Sequence, residues 1–181
     1  MELTFSNPAP LGMIYFAFGV LVSGLIFFGI DAEPAGPVFK GLSIVQKYVG
    51  IGMLFVVVPL FFIGNPFGNM SVSMWIGAVF GNFGVVWLMF SQTLYEEADL
   101  KPVSWVALLT AVLCVIYAYL SAALGLNLFL AIFIVAAVTF VFIFIGLHGR
   151  AIFSKMAGAL LVILAVMAVW AIFIDFSVLL G

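Results

Sequence analysis

Charged residues are scarce in this chain, and their scarcity excludes a water-soluble protein. Of 181 residues, 7% are Asp, Glu, Lys or Arg, whereas 67% are hydrophobic and the mean hydropathy is +1.44. A soluble domain is about one quarter charged, so five basic and seven acidic side chains cannot cover a surface of this size. The net charge of −2 also argues against nucleic-acid binding. The composition therefore indicates a polytopic membrane protein.

Cysteine and histidine are nearly absent, which removes most cofactor chemistry. Cys114 and His148 are the only residues of their types, so no disulfide can form within the chain and no Cys/His cluster can bind zinc or haem. Intramembrane catalysis usually needs buried acidic residues, histidine or a Ser/Lys pair inside the spans, and the sequence offers none of these arrangements. We predict that the protein is not an enzyme and that it uses no metal and no cofactor.

Long apolar runs occupy almost the whole sequence. A transmembrane helix needs about 20 apolar residues, and six stretches satisfy this length: 11–30, 42–63, 72–93, 103–124, 126–147 and 152–174. Proline, glycine and charged residues separate them. The sequence thus predicts an all-α fold in a lipid bilayer, in which residues 1–181 form a single six-helix transmembrane domain.

Basic residues gather at one end of the predicted helices. The loops after the first, third and fifth spans share one side of the membrane, and every basic residue lies in or near them: Lys40, Lys47, Lys101, Arg150 and Lys155. Cytoplasmic loops carry an excess of Lys and Arg, so we predict that both termini lie outside. Lys47 lies within a span close to its end, and we interpret it as reaching to the headgroups.

Polar and small residues inside the spans leave two interpretations open. Asn82 lies in the middle of the third span, where its amide must find a partner or face water. It is therefore either an interhelical hydrogen-bonding group or a pore-lining group. The spacings Gly77–Gly81 and Gly19–Ser23 allow helices to approach closely, and tight packing is the favoured explanation for them.

The most specific motif stands at the start of the first span. Residues 7–12 read Asn-Pro-Ala-Pro-Leu-Gly, and Phe16 follows. Prolines suit a helix start, where the first N–H groups have no partner, and Asn7 can cap that end. The string resembles the signature of the acetate uptake transporter family (YaaH/SatP type), although Met13 replaces a Leu and Tyr15 replaces a small residue.

This resemblance implies a set of pore residues. The family narrows its pore with two aromatic side chains and a Leu, which implies a constriction at Phe16, Phe80 and Leu160. A looser similarity over 66–68 and 80–83 supports the second position. The pore mouth, or solute-binding region, is then expected at the helix start together with the third-span amide: Asn7, Pro8, Pro10, Gly12 and Asn82.

Other strings resemble a second family, the AmiS/UreI channels for small amides and urea. They lie at 41–44, 93–95, 99–105 and 146–150. Either resemblance implies a homo-hexameric ring with one pore through each six-helix subunit. The urea channels line their filter with Trp and Tyr in the third and fifth helices, and the fifth span here has no Trp, which weakens the urea interpretation.

We therefore expect an integral membrane channel or proton-linked carrier for small monocarboxylates, chiefly acetate, with succinate as a further candidate. A bare carboxylate in an apolar constriction costs several kcal/mol or more, so the solute passes as the protonated acid or uses an anion site near residues 7–12. The alternatives are a urea or short-chain amide channel and a structural membrane protein without transport. The expected location is a bacterial or archaeal inner membrane.

Overall fold

The computed structural model describes residues 8–29, 36–58, 60 and 69–174. In these ranges it contains six α-helices and no strand, which confirms the predicted all-α fold. The helices are α1 (Ala9–Phe28), α2 (Pro37–Val58), α3 (Met70–Tyr95), α4 (Lys101–Ala123), α5 (Asn127–Leu147) and α6 (Ala151–Phe173). Each is long and apolar enough to cross a membrane. The second helix begins at Pro37 rather than at residue 42.

Local chemistry explains where several helices begin and end. Pro8 and Pro10 flank the start of α1, where the missing N–H groups have no helical partner to lose. Gly29 ends this helix with φ 67°, a left-handed conformation that glycine adopts without steric cost. Asn69 caps α3, since its side-chain oxygen accepts hydrogen bonds from the backbone N–H groups of Ser71 and Val72.

The six helices form a closed ring in chain order. Each helix contacts the next one along the chain, and α6 contacts α1, which closes the ring. The contact between α3 and α4 is the least extensive of these, whereas α3 also reaches α1. A ring of this kind has a central axis, and side chains from all six helices can face it.

The outer surface is apolar, as expected of a multi-pass membrane protein. Phe55, Tyr119 and Phe173 expose 73%, 73% and 74% of their area. In water such a surface would drive aggregation, whereas lipid tails solvate it. The protein is therefore a multi-pass membrane protein whose large hydrophobic residues point both outward to lipid and inward to the axis.

Two glycine pairs bring neighbouring helices into backbone contact. A methyl group at Gly50 of α2 would lie 2.9 Å from the carbonyl oxygen of Gly84 in α3. A methyl group at Gly158 of α6 would lie 3.0 Å from the carbonyl oxygen of Gly24 in α1. Since membrane helices associate through close packing rather than through expulsion of water, these crossings hold the ring together on two sides.

We expect Gly50→Ala to destabilise the protein, because the added methyl group meets a rigid backbone carbonyl. Overpacking of this kind costs about 1–3 kcal/mol. The matched control is Gly41→Ala on the same helix, where a methyl group meets nothing within 4 Å. Thermal unfolding in detergent should show a lower midpoint for Gly50→Ala alone; equal midpoints for the two variants would contradict the α2–α3 contact.

Candidate pore along the bundle axis

Four aromatic side chains meet on the axis of the ring. They come from α1 (Phe16), α3 (Phe83 and Trp87) and α5 (Phe140), and all four are buried. The ring centres of Phe16 and Phe83 are 4.8 Å apart in an edge-to-face arrangement. Phe83 lies 5.6 Å from Trp87 and 5.9 Å from Phe140. These distances are typical of favourable aromatic pairs, and we call the four residues the aromatic cluster.

A small cavity lies on each side of the aromatic cluster. The Met13 cavity measures about 10 Å³ and is lined by Met13, Phe16, Val79, Phe80, Phe83, Phe129, Ile132 and Phe133. The Gln46 cavity measures about 30 Å³, and all six helices line it through Ser23, Phe27, Gln46, Val86, Trp87, Phe90, Val103, Ala107, Phe140, Ile143, Leu147 and Leu161. Because a site of about 10–15 Å³ holds one water, the axial path is narrow on both sides of the cluster.

No charged side chain lines either of these two cavities. The Met13 cavity is wholly apolar, and the Gln46 cavity contains two polar side chains, Ser23 and Gln46, besides the indole nitrogen of Trp87. An ion placed in such surroundings loses its hydration without gaining a counter-charge. The axis is therefore suited to a neutral solute of a few non-hydrogen atoms.

Two aromatic rings of α3 pack directly against glycines of α1. A methyl group at Gly12 would lie 2.6 Å from Cε2 of Phe80, and one at Gly19 would lie 1.7 Å from Nε1 of Trp87. Both pairs are separated by seven residues, or about two turns, in their own helices. This shared spacing places the two helices in register and fixes where each α3 ring stands along the axis.

A short hydrogen-bonded chain lies beside the aromatic cluster. The Ser23 hydroxyl donates to the Gly19 carbonyl oxygen at 2.7 Å. The Gln46 side-chain amide donates to the Ser23 oxygen at 2.5 Å. Two buried atoms nearby have no hydrogen-bond partner among the described residues, Oε1 of Gln46 and Nε1 of Trp87. The polar part of the Gln46 cavity is thus only partly satisfied.

The structure brings some of the expected constriction residues to the axis. Phe16 belongs to the aromatic cluster. Phe80 lines the Met13 cavity and packs on Gly12, about one turn from the cluster. Leu160 is partly buried on α6 and is not among the residues that line the two cavities, whereas its neighbour Leu161 lines the Gln46 cavity.

Of the expected pore-mouth residues that the structure describes, all but Asn82 lie at or near the start of α1. Pro8 and Pro10 are partly buried at the helix start, and Gly12 is buried beneath Phe80. Asn82 is partly buried in the middle of α3, and its Nδ2 atom has no partner among the described residues. Asn7 and the string at 66–68 lie outside the described residues.

Sequence reasoning did not single out Phe83, Trp87, Phe140 or Gln46. A usable signal existed for Trp87, because Gly12 and Gly19 repeat at the same interval as Phe80 and Trp87. No comparable signal marked Gln46, which stands one residue before the more conspicuous Lys47. Lys47 itself is exposed and lines a groove between α2 and α3 with Gln92 and Tyr95, away from the two axial cavities.

An ion pair connects α2 with the α3–α4 loop at the end of the bundle where the basic residues lie. Nζ of Lys40, in the first turn of α2, lies 2.6 Å from Oε1 of Glu97 in the α3–α4 loop. Both side chains are more than 40% exposed, so the pair contributes little to stability. It shows, however, that the start of α2 and the α3–α4 loop lie at the same end of the ring.

Comparison with known proteins shows the fold. The chain is similar to the solved structure of the bacterial acetate channel SatP, with a TM-score of 0.66 and 20% sequence identity over 94% of this chain and 92% of that chain. No protein-family model matches the chain, and no curated protein sequence matches it. The six-helix ring is therefore a fold already known from an experimental structure, whereas the function of this chain has to be argued from its site.

Proposed function

We propose that this protein is a membrane channel or proton-linked carrier for small monocarboxylic acids, chiefly acetate, with succinate as a further candidate. The observation that carries the proposal is the aromatic cluster, which separates two small uncharged cavities on the axis of a closed six-helix ring. The similarity in fold to an acetate channel supports the same solute class.

The uncharged axis supports passage of the protonated acid. A carboxylate would have to leave water for cavities that hold no cation, which costs several kcal/mol or more. A neutral carboxylic acid avoids most of this cost and carries its proton with it. Transport of the acid is then coupled to the proton without any titrating side chain of the protein.

The aromatic cluster is the proposed barrier. Phe16 remains the first constriction residue, and Phe83, Trp87 and Phe140 surround it. Phe80 narrows the path about one turn nearer to the start of α1, and Leu161 replaces Leu160 as the leucine that faces the axis. The helix start at residues 7–12 and Asn82 remain the proposed pore mouth and solute-binding groups.

The proposal extends to assembly and location. We infer a homo-hexamer with one pore in each subunit, in an inner membrane of a bacterium or archaeon, with both termini outside. The exposed apolar faces of the helices and the Lys40–Glu97 contact at the basic end are consistent with this arrangement. A urea or short-chain amide channel and a non-transporting membrane protein are the competing functions.

Acetate flux into proteoliposomes tests the proposed function. We expect uptake of labelled acetate above that of empty liposomes, and a rate that rises as the external pH falls. The reason is that the protonated fraction of a carboxylic acid grows about tenfold per pH unit above its pKa. Urea flux, measured at the same external pH values as acetate uptake, is the control. Fast urea flux without acetate uptake at acid pH would instead establish the urea channel.

Replacing one ring of the cluster separates a barrier from simple packing. We expect Phe16→Ala to give faster and less selective flux, because the aromatic cluster loses one of its four rings. Phe18→Ala is the matched control, since Phe18 is 53% exposed to lipid on the same helix. If Phe16 only packs the core, the variant loses folded protein instead, at a cost of about 3–5 kcal/mol, and size-exclusion profiles with flux assays distinguish these results.

Labelling of single cysteines tests the orientation. We expect a membrane-impermeant maleimide to label Ala123→Cys, at the α4–α5 turn, on intact cells and to leave His148→Cys, at the α5–α6 turn, unlabelled. Both positions are exposed at opposite ends of the ring. The parent chain serves as the blank because its single cysteine, Cys114, is buried. The reverse labelling pattern would place both termini inside.

A further inference from the structure

The amide of Gln46 has a fixed orientation in the protein interior. Ser23 uses its hydroxyl hydrogen to bind the Gly19 carbonyl oxygen, so its oxygen must accept from Gln46. The nitrogen of the Gln46 amide therefore faces Ser23, and the carbonyl oxygen faces away. That oxygen is an acceptor without a partner among the described residues, on a side chain that is only 1% exposed.

The indole of Trp87 supplies a donor in the same place. Its Nε1 atom lies against Gly19, is buried, and has no partner among the described residues. Gly19 and Ser23 are one turn apart in α1, so the free donor and the free acceptor both lie beside this one turn. Both side chains line the Gln46 cavity.

Two buried polar atoms without hydrogen-bond partners in one cavity are unfavourable for the stability of the folded state. Buried polar groups almost always have a partner, and leaving one without a partner destabilises the folded state. Packing explains the neighbouring residues but not these two atoms, because each could have been replaced by an apolar side chain of similar size. A ligand that forms hydrogen bonds with both atoms would account for their presence in the cavity.

The chemistry of the two atoms selects the guest. A carboxylate has acceptors only, so it can bind the indole N–H but repels the Gln46 oxygen, and no cation lines the cavity. A neutral carboxyl group carries a carbonyl oxygen that accepts and a hydroxyl that donates, on two oxygens bonded to the same carbon. Its carbonyl oxygen accepts from Trp87, and its hydroxyl donates to Gln46.

We propose that Gln46 and Trp87 form a recognition site for the protonated carboxyl group of a small acid, directly beside the aromatic cluster. This inference rests on the proposed function and deepens it, because it places the choice of protonation state in two named side chains. A primary amide carries the same donor–acceptor pair, so acetamide should occupy the site as a neutral mimic of acetic acid.

The test measures acetate uptake into proteoliposomes at acid pH as a function of acetate concentration. We expect Trp87→Phe, which keeps a ring but removes the N–H, to raise KM about fivefold, the effect of one lost hydrogen bond. Gln46→Met should do the same. The matched controls are Trp170→Phe and Gln92→Met, at exposed positions, and they should leave KM unchanged.

Competition by acetamide provides a readout that a structural role would not change. Acetamide should inhibit acetate uptake by the unmodified protein and should inhibit Trp87→Phe and Gln46→Met about fivefold less strongly. Since Trp87→Phe retains most of the ring, and the competition assay needs no substitution, the test stands even if Gln46→Met fails to fold.

The outcomes separate this inference from the proposed function. Acetate uptake that is unaffected by acetamide, with unchanged KM in both variants, would overturn the recognition site while leaving the channel function intact. It would show that the two atoms bind only water. Absence of acetate uptake by the unmodified protein would overturn the proposed function and this inference with it.

Discussion

Lipid cannot donate or accept hydrogen bonds, and this constraint accounts for the architecture. Every backbone polar group within the membrane has to be satisfied inside its own helix, which makes six apolar helices the natural product of this composition. Burying an apolar face of such a helix against another helix gains no hydrophobic free energy, because lipid and protein interior are equally apolar. What brings them together is close packing, and the glycine contacts of α1 with α6 and of α2 with α3 provide it.

Closing the ring creates a tightly packed interior that holds a few buried polar side chains, such as Ser23 and Gln46, among mostly apolar ones. Glycines at 12 and 19 of α1 leave room for the rings at 80 and 87 of α3, and Phe16 and Phe83 meet between them. The same interlocking that holds α1 and α3 in register thus builds the aromatic cluster. One set of contacts therefore both stabilises the packing of α1 on α3 and closes the axis, so the passage proposed for a solute requires these rings to shift.

Selectivity in such a path depends on the few polar atoms it contains. A charged lining would favour ions, whereas the cavities beside the cluster offer one hydroxyl, one amide and one indole nitrogen. A neutral acid loses little hydration there, and its head group matches the two unpaired atoms in number and in kind. In the proposed function, proton coupling follows from the solute itself, because the protonated acid is the form that matches these two atoms.

The sequence by itself determined the membrane class and the six long apolar helices found among the described residues, because both depend on composition and run length. The placement of Phe16 came from a resemblance over a short local motif. The sequence did not reveal Phe83, Trp87, Phe140 or Gln46, and of the two neighbouring leucines it pointed to Leu160, whereas Leu161 is the one that lines the Gln46 cavity. The physical reason is that helices apolar on every side carry no amphipathic pattern to show which face points inward. Only the packing of α1 against α3, and the closure of the ring by α6, decided that direction.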